Sequence, residues 1–378
     1  MIENKKVNIF FASSPYNVFL EFSLAIERKE QSSDINILFI VDDFNNVEQF
    51  KNILKSSCSG SDNNNIFDHI YILKGLYGSK INTHSYIFKL KRLASLLYNA
   101  AKIKKNLKNI VGSQMVQAIY AVHPSSFEVQ FTYFSKFCDK AKLFCVEDGI
   151  TIYGDTNMRN LNHKWIALKK HVYKFLFNSR FTHHDFSFLF PYIDACYVTY
   201  PEFVKNDFLL GKGVLAIQKD GYRNLIFKDL AKQFMKDSLL DIFKNNNCAL
   251  FVLNLSERMN AENRKIYIEW LKNKFEKLKK EDYKIVIKYH PRETKSYLAG
   301  IDDLVVINNN MALEFLYVDK EIKIKKIYGT TSTALFTAKW LRNDLEIICF
   351  EKSMPGYKTR NVFKNYIDIL EKIGVCFE

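Results

Sequence analysis

Apolar residues in this chain fall into two alternating patterns. Residues 7–12, 35–41 and 66–73 are short, dense runs rich in β-branched and aromatic side chains, and they predict buried strands. Between them, residues 18–28 and 44–55 carry apolar positions three or four apart and predict helices, with 13–17 as a tight loop. Residues 56–65, rich in Ser, Asn, Asp and Gly, predict a loop. Further strands are expected at 116–122, 142–146 and 195–199, with a helix over 127–141. Residues 201–243 are polar and partly helical and read as a junction. The rhythm then resumes with a strand at 248–253, a loop at 254–260, a charged amphipathic helix at 261–280 and a strand that opens at Lys284 and stops on Lys-x-His-Pro-Arg. A short strand (305–307), a short helix (313–317), a strand (325–328), a helix running to Leu341, a last strand (346–350) and a closing helix (362–373) complete it.

Strand–helix–strand alternation predicts parallel, doubly wound sheets. A chain of 378 residues exceeds what one core usually serves, so two domains are expected. Their expected limits are 1–210, a junction at 211–245, a second domain at 246–356 and the closing helix at 357–378.

Charge changes the picture. The net charge is +14, which implies a polyanionic partner: nucleic acid, an anionic membrane surface or an acidic glycan. Part of the excess lies in the predicted helix 86–108, where Leu90, Leu93, Leu96 and Leu97 recur at helical spacing. Lys89, Lys91, Arg92, Lys102, Lys104, Lys105 and Lys108 lie elsewhere on it, and no acidic residue interrupts them. Such a face is either simply solvated or a docking surface for anionic sugars or lipid head groups. Residues 158–190 are basic and aromatic, a second candidate for binding an extended polyanion or a membrane surface. No RNP, zinc-finger or helix-turn-helix signature accompanies the charge, which argues against nucleic acid. The seven cysteines are dispersed, with no metal-ligand spacing and no disulfide framework, as expected in a reducing cytoplasm. No signal peptide and no membrane-spanning run is expected.

Three polar signatures each follow a predicted strand. Glu147-Asp148-Gly149 places two carboxylates at a tight turn, where one can act as a general base; an Asp-Gly turn is also a common solvated turn or cap. Lys288-Tyr289-His290-Pro291-Arg292 ends a β-branched run and gathers an ammonium, an imidazole and a guanidinium at a strand's carboxyl end. Open α/β sheets bind ligands at that edge, and this set suits an anion such as phosphate. Gly329-Thr330-Thr331-Ser332-Thr333 lets the backbone approach a ligand and opens a helix with two hydroxyls, a setting for phosphate as well as an ordinary cap. Glu314, on a short helix between the second and third signatures, can accept from ribose hydroxyls. Together they describe a nucleotide-phosphate site in the second domain and a carboxylate base in the first. That is the logic of a GT-B glycosyltransferase, an α/β fold of two Rossmann-like doubly wound domains facing a central cleft.

Acid-Acid-Gly, then Lys-x-His-Pro, then Ser/Thr-Ser/Thr, in this order over residues 147–335, resembles the bacterial GT-B sialyltransferases. These include the lipooligosaccharide sialyltransferases and the capsular polysialyltransferases. The strand and loop at 7–17 share the resemblance; 158–243 does not. The resemblance implies an inverting, metal-independent transfer of sialic acid from CMP-sialic acid to a bacterial surface glycan, with no cofactor. Glu147, or Asp148, deprotonates the acceptor hydroxyl, and Glu147 is preferred. His290 serves the departing phosphate, which Ser332 and Thr333 hold. Lys288 lies near the cytosine and Glu314 near the ribose. Ser13, Asn254, Pro291, Arg292 and Gly329 complete the expected substrate-binding set. The first motif has Glu where Asp is more usual, which keeps the chemistry. The expected partners are the CMP-sugar donor and an anionic oligosaccharide, polysaccharide or glycolipid acceptor. The expected place is the cytoplasm, with peripheral contact to the anionic inner membrane. The competing reading is another GT-B transferase of capsule or lipopolysaccharide assembly, using a sugar such as CMP-Kdo.

Overall fold

The computed structural model describes residues 5–44, 47–58, 65–75, 86–111, 115–154, 187–223, 225–235, 237–253, 259–290, 293, 296–308, 311–353 and 361–378. The chain divides into two compact units, Met1–Gly221 and Tyr222–Glu378, a boundary inside the stretch expected as the junction.

The first unit carries β1 (Val7–Ala12), β2 (Ile35–Val41), β3 (His69–Leu73), β4 (Val116–Ala121), β5 (Lys142–Val146), β6 (Ala195–Val198) and β7 (Val214–Ala216). They form one parallel sheet in the order β3-β2-β1-β4-β5-β6-β7. A parallel sheet covered on both faces needs strands that are apolar on both faces, which is why β1 is buried at every position. Phe10, Tyr120 and Phe144 stand side by side in register on β1, β4 and β5. Their rings stack at 4.7 and 5.1 Å. The buried Asn36 stays satisfied by donating to the carbonyls of Ala25 and Ile66, both at 3.0 Å.

The connecting helices are α1 (Pro15–Gln31), α2 (Val47–Cys58), α3 (Tyr86–Val111), α4 (Phe127–Tyr133) and α5 (Asp207–Lys212). Three depart from the sequence reading. The expected loop 13–17 is mostly the first turn of α1. The Ser14 hydroxyl accepts from the Asn17 N–H at 3.1 Å, and Pro15 sits at the first helical position, where a missing N–H is harmless. The helix expected over 127–141 stops at Tyr133, after which turns close between Ser135 and Thr132, Cys138 and Ser135, and Ala141 and Cys138. On α3 the buried stripe is Leu96, Ala100, Ile103 and Leu107, whereas Leu97 points outward. Lys104, Lys105 and Lys108 on it are exposed. Of the basic stretch 158–190, residues up to 186 lie outside the described residues, and Phe188 and Phe190 are buried.

The second unit carries β8 (Cys248–Val252), β9 (Lys284–Lys288), β10 (Val305–Val306), β11 (Ile324–Gly329), β12 (Glu346–Cys349) and β13 (Cys376–Phe377). They too run parallel, in the order β10-β9-β8-β11-β12-β13. The sheet therefore does not end at residue 350: after the closing helix the chain adds β13 beside β12. The helices are α6 (Leu225–Phe234), α7 (Asp237–Asn245), α8 (Ala261–Lys280), α9 (Glu314–Val318), α10 (Thr333–Leu341) and α11 (Asn361–Lys372). Phe251 stacks on its register partner Tyr328 at 4.6 Å and meets Phe275 of α8 edge-on at 4.8 Å.

Each sheet is thus Rossmann-like, growing outward in both directions from its first strand. Strand order reverses between β1 and β4 in one unit and between β8 and β11 in the other. At those points the loops that follow neighbouring strands part and leave a crevice at the carboxyl edge. No helix among the described residues is long and apolar enough to cross a membrane.

Candidate active site

In the first unit the switch-point loops bring Ser13, Tyr16 and Asn17, which follow β1, to the same sheet edge as His123, which follows β4. Glu147 and Asp148 follow the neighbouring β5, and the two carboxylates have opposite surroundings. Glu147 is fully buried. Tyr16 donates its hydroxyl to Oε1 at 2.6 Å, and Tyr153 donates to Oε2 at 2.5 Å. The Thr199 N–H donates to Oε2 at 2.8 Å, and its hydroxyl lies 3.1 and 3.0 Å from the two oxygens. Burial pushes the Glu147 carboxyl above its ordinary range, while the bonds from Tyr153, Tyr16 and Thr199 pull it part of the way back. Asp148 is half exposed, 3.8 Å from His123 Nε2 and 3.5 Å from Asn17 Nδ2. Asn17 Oδ1 in turn accepts from the Ser13 hydroxyl and N–H at 3.1 and 3.3 Å. Gly149 opens the turn 149–153 with φ of 65°, a left-handed conformation that suits glycine and aims Tyr153 back at Glu147.

In the second unit Lys288 ends β9, and His290 follows half-buried, its carbonyl accepting from the Glu293 N–H at 2.8 Å. Lys288 is itself buried and donates to the Asn308 carbonyl at 3.0 Å. Burial pushes its amine down to about 7, with Glu314 pulling the other way. Glu314 opens α9 from the interior, accepting from the Thr337 hydroxyl of α10 at 3.0 Å. Burial raises its carboxyl, against its own backbone N–H, Thr337 and Lys288.

The third signature forms a compact anion cradle. Gly329 ends β11, and a Cβ there would come within 3.0 Å of Leu335 Cδ2, so the turn into α10 is tight. Ser332 is the N-cap, Thr333 the first helical residue, and the cap makes no side-chain hydrogen bond to the helix. The Ser332 hydroxyl oxygen is buried and has no partner among the described residues. A buried donor beside the open N–H groups and positive end of a nine-residue helix is a place for phosphate. The adjacent Thr331 N–H is already taken by Glu351 Oε2 at 2.6 Å.

The structure therefore gathers Ser13, Glu147 and Asp148 at one sheet edge, and Lys288, His290, Gly329, Ser332 and Thr333 at strand ends of the other. Glu314 sits deeper, within electrostatic reach of Lys288. Asn254, Pro291 and Arg292 lie outside the described residues. The sequence reading missed Tyr16, Asn17, His123, Tyr153 and Thr199 as site residues. Asn17 and His123 had a usable signal, since each is a polar group just past a strand at the switch point.

Comparison with known proteins follows this geometry. The family model described as alpha-2,8-polysialyltransferase (POLYST) matches residues 8–351. No curated protein matches the chain. Among solved structures, the α/β-galactoside α-2,3-sialyltransferase of Photobacterium phosphoreum aligns over 99% of both chains with a TM-score of 0.58 and 12% identity. The MnaA–UDP structure of S. aureus aligns over 98% of this chain and 88% of its own, with a TM-score of 0.50 and 11% identity. At these identities the likeness is one of fold: two Rossmann-like units of the GT-B kind.

Two stability measurements check this account. Tyr153→Phe strips a charge-assisted bond from buried Glu147 and is expected to cost ~1.5–3 kcal/mol in urea unfolding, whereas half-exposed Asp148→Asn stays within about 0.5 kcal/mol. Equal effects would contradict the division of the two carboxylates. Lys288 titrates at about 7 in the folded chain and near ~10.4 when unfolded. Between those values the unfolded chain holds the extra proton, so stability rises with pH across that window. From pH 7.5 to 9 the wild type should gain on Lys288→Met by up to ~1.4 kcal/mol per pH unit. A flat difference would mean that the amine is not desolvated.

Proposed function

Because the chain belongs to the alpha-2,8-polysialyltransferase family, we propose that it transfers sialic acid from CMP-sialic acid to an anionic surface glycan, extending an α-2,8-linked chain with inversion and without a metal. The donor half of this reading is carried by the buried, unpartnered Ser332 hydroxyl at the start of α10. A phosphate oxygen bound there is met by the hydroxyl, the first-turn N–H groups and the helix dipole. His290, at the carboxyl end of β9, donates to the phosphate oxygen as its bond to the anomeric carbon breaks.

The first unit supplies the base. Burial has lifted the Glu147 carboxyl toward the range in which a base works near neutral pH. Among the described residues, its Oε1 accepts from hydroxyls, those of Tyr16 and Thr199. An acceptor hydroxyl is a donor of the same kind and can replace the half-buried Tyr16. The acceptor oxygen then forms its bond to the anomeric carbon as Glu147 takes the proton, and CMP leaves from the opposite face. Asp148, beside His123 and Asn17, orients the incoming sugar. The net charge of +14 suits a polyanionic acceptor. We place the reaction in the cytoplasm, at the anionic inner membrane surface.

The test is release of CMP from CMP-sialic acid by wild type, His290→Ala, Glu147→Gln and Asp148→Asn, with a sialylated oligosaccharide and with a lactose-terminated acceptor. Release by wild type should depend on the sialylated acceptor and fall by about 10²–10⁴-fold in His290→Ala and Glu147→Gln, the scale of a lost acid or base. Asp148→Asn should retain more activity than Glu147→Gln, and the reverse order would exchange the carboxylates. Consumption of CMP-Kdo in place of CMP-sialic acid would sink the donor assignment.

A further inference from the structure

The first sheet has a second edge that this chemistry does not use. At the amino ends of β1, β4 and β5 lies a cavity of about 390 Å³, the size of a small-ligand pocket. Lys6, Arg28, Lys140 and Lys142 line it together with Tyr120 and Phe144, and no carboxylate lines it among the described residues. The three lysines are exposed, and none has an ion-pair partner among the described residues. The guanidinium of Arg28 is held in place: Nη2 donates to the Tyr197 hydroxyl at 2.8 Å, Nη1 donates to Gln31 at 3.0 Å, and the carbon lies 5.7 Å from the Tyr120 ring centre. Its Nε is buried and has no hydrogen-bond partner among the described residues. The nearest acid acting on it is Glu27, which already accepts from Gln31 at 3.3 Å.

This clustering is not what the fold supplies by default. In a parallel doubly wound sheet the helix amino ends, which attract anions, gather at the carboxyl edge of the strands. The amino edge receives helix carboxyl ends, which repel anions. Arg28, in the last turn of α1, answers that dipole. Lys6, Lys140 and Lys142 lie outside helices, so the dipole does not account for them. Four cations around one recess have a single complement, a ligand carrying negative charge, and the aromatic wall adds an apolar face.

We propose that this cavity is a distal binding site for an acidic sugar of the glycan acceptor, its carboxylate met by the four cations and its ring faced by the half-buried Phe144, while the buried Tyr120 backs Arg28. The identity of the ligand rests on the proposed function; the presence of an anion site does not. The site lies one strand length, about 16 Å, from Glu147. It therefore holds a part of the chain remote from the reacting end. A phosphate head group offers similar charge, but a recess at a sheet edge suits an inserted sugar better than the plane of a bilayer.

The experiment measures binding to the full chain, without donor, of a fluorescent α-2,8-linked oligosialic acid by anisotropy, and of phosphatidylglycerol vesicles by sedimentation. Lys140→Glu/Lys142→Glu is compared with Lys277→Glu/Lys280→Glu, an equal charge change on exposed positions of α8. Lys6→Glu serves as a second probe of the cavity should the first pair fold poorly. The cavity variants should weaken oligosialic acid binding about tenfold or more, with the α8 pair within about twofold. Equal weakening by both pairs would reduce the effect to bulk charge and overturn the site. Loss of vesicle binding with oligosaccharide binding intact would overturn the glycan assignment in favour of lipid. If wild type does not bind the oligosaccharide, the distal site fails; CMP release with a sialylated acceptor in the same preparation then reports separately on the transferase reading.

Discussion

An ionised carboxylate cut off from water is stable only where donors take the water's place, and Glu147 meets that condition by drawing three other pieces of chain around it. Tyr16 comes from the start of α1, Tyr153 from the turn that follows Gly149, and Thr199 from the end of β6. The same bonds that make burial tolerable also fix where these segments end. The cage therefore pins the carboxyl edge of the first sheet and sets Asp148, one residue on, facing solvent beside His123 and Asn17. Removing any member leaves a desolvated charge short of a partner, which is the more damaging kind of loss.

The second unit solves a related problem differently. Lys288 and Glu314 are both buried, and each moves the other toward its charged form while desolvation moves both toward neutrality. Against that background the uncompensated features are the Ser332 hydroxyl and the amino end of α10. An arriving phosphate meets a fixed positive dipole rather than a mobile side chain, so little reorganisation is needed on binding.

Much of this was readable in the chain before any coordinates. The limits of β1, β2, β5 and α8 coincide with the sequence reading, because a strand buried on both faces leaves a continuous apolar run and a long amphipathic helix leaves a clear period. Two short edge strands, β7 of three residues and β13 of two, left no such mark and take their identity from the neighbour they pair with. The expected loop before α1 ignored a Ser-Pro pair that is itself a helix-start signal. Among site residues, the motif groups were legible because each directly follows a strand. The cage of Glu147 was not, since Tyr16 is 131 positions away and Thr199 52, and only the strand order brings them together.

The two edges of the first sheet suit anions in different ways. At the carboxyl edge, backbone dipoles and hydrogen-bonded side chains can select for shape and for the position of a proton. At the amino edge the dipoles have the wrong sign, so anything negative must be met by whole cations. Lys6, Arg28, Lys140 and Lys142 provide them, with no carboxylate lining the recess among the described residues. Recognition by exposed ammonium groups is long-ranged and tolerant, and salt screens it. Recognition by a helix end and a buried hydroxyl is short-ranged and exacting. The opposite ends of parallel strands keep these two kinds of recognition apart by construction, which is what the proposed transfer to a polyanionic acceptor requires.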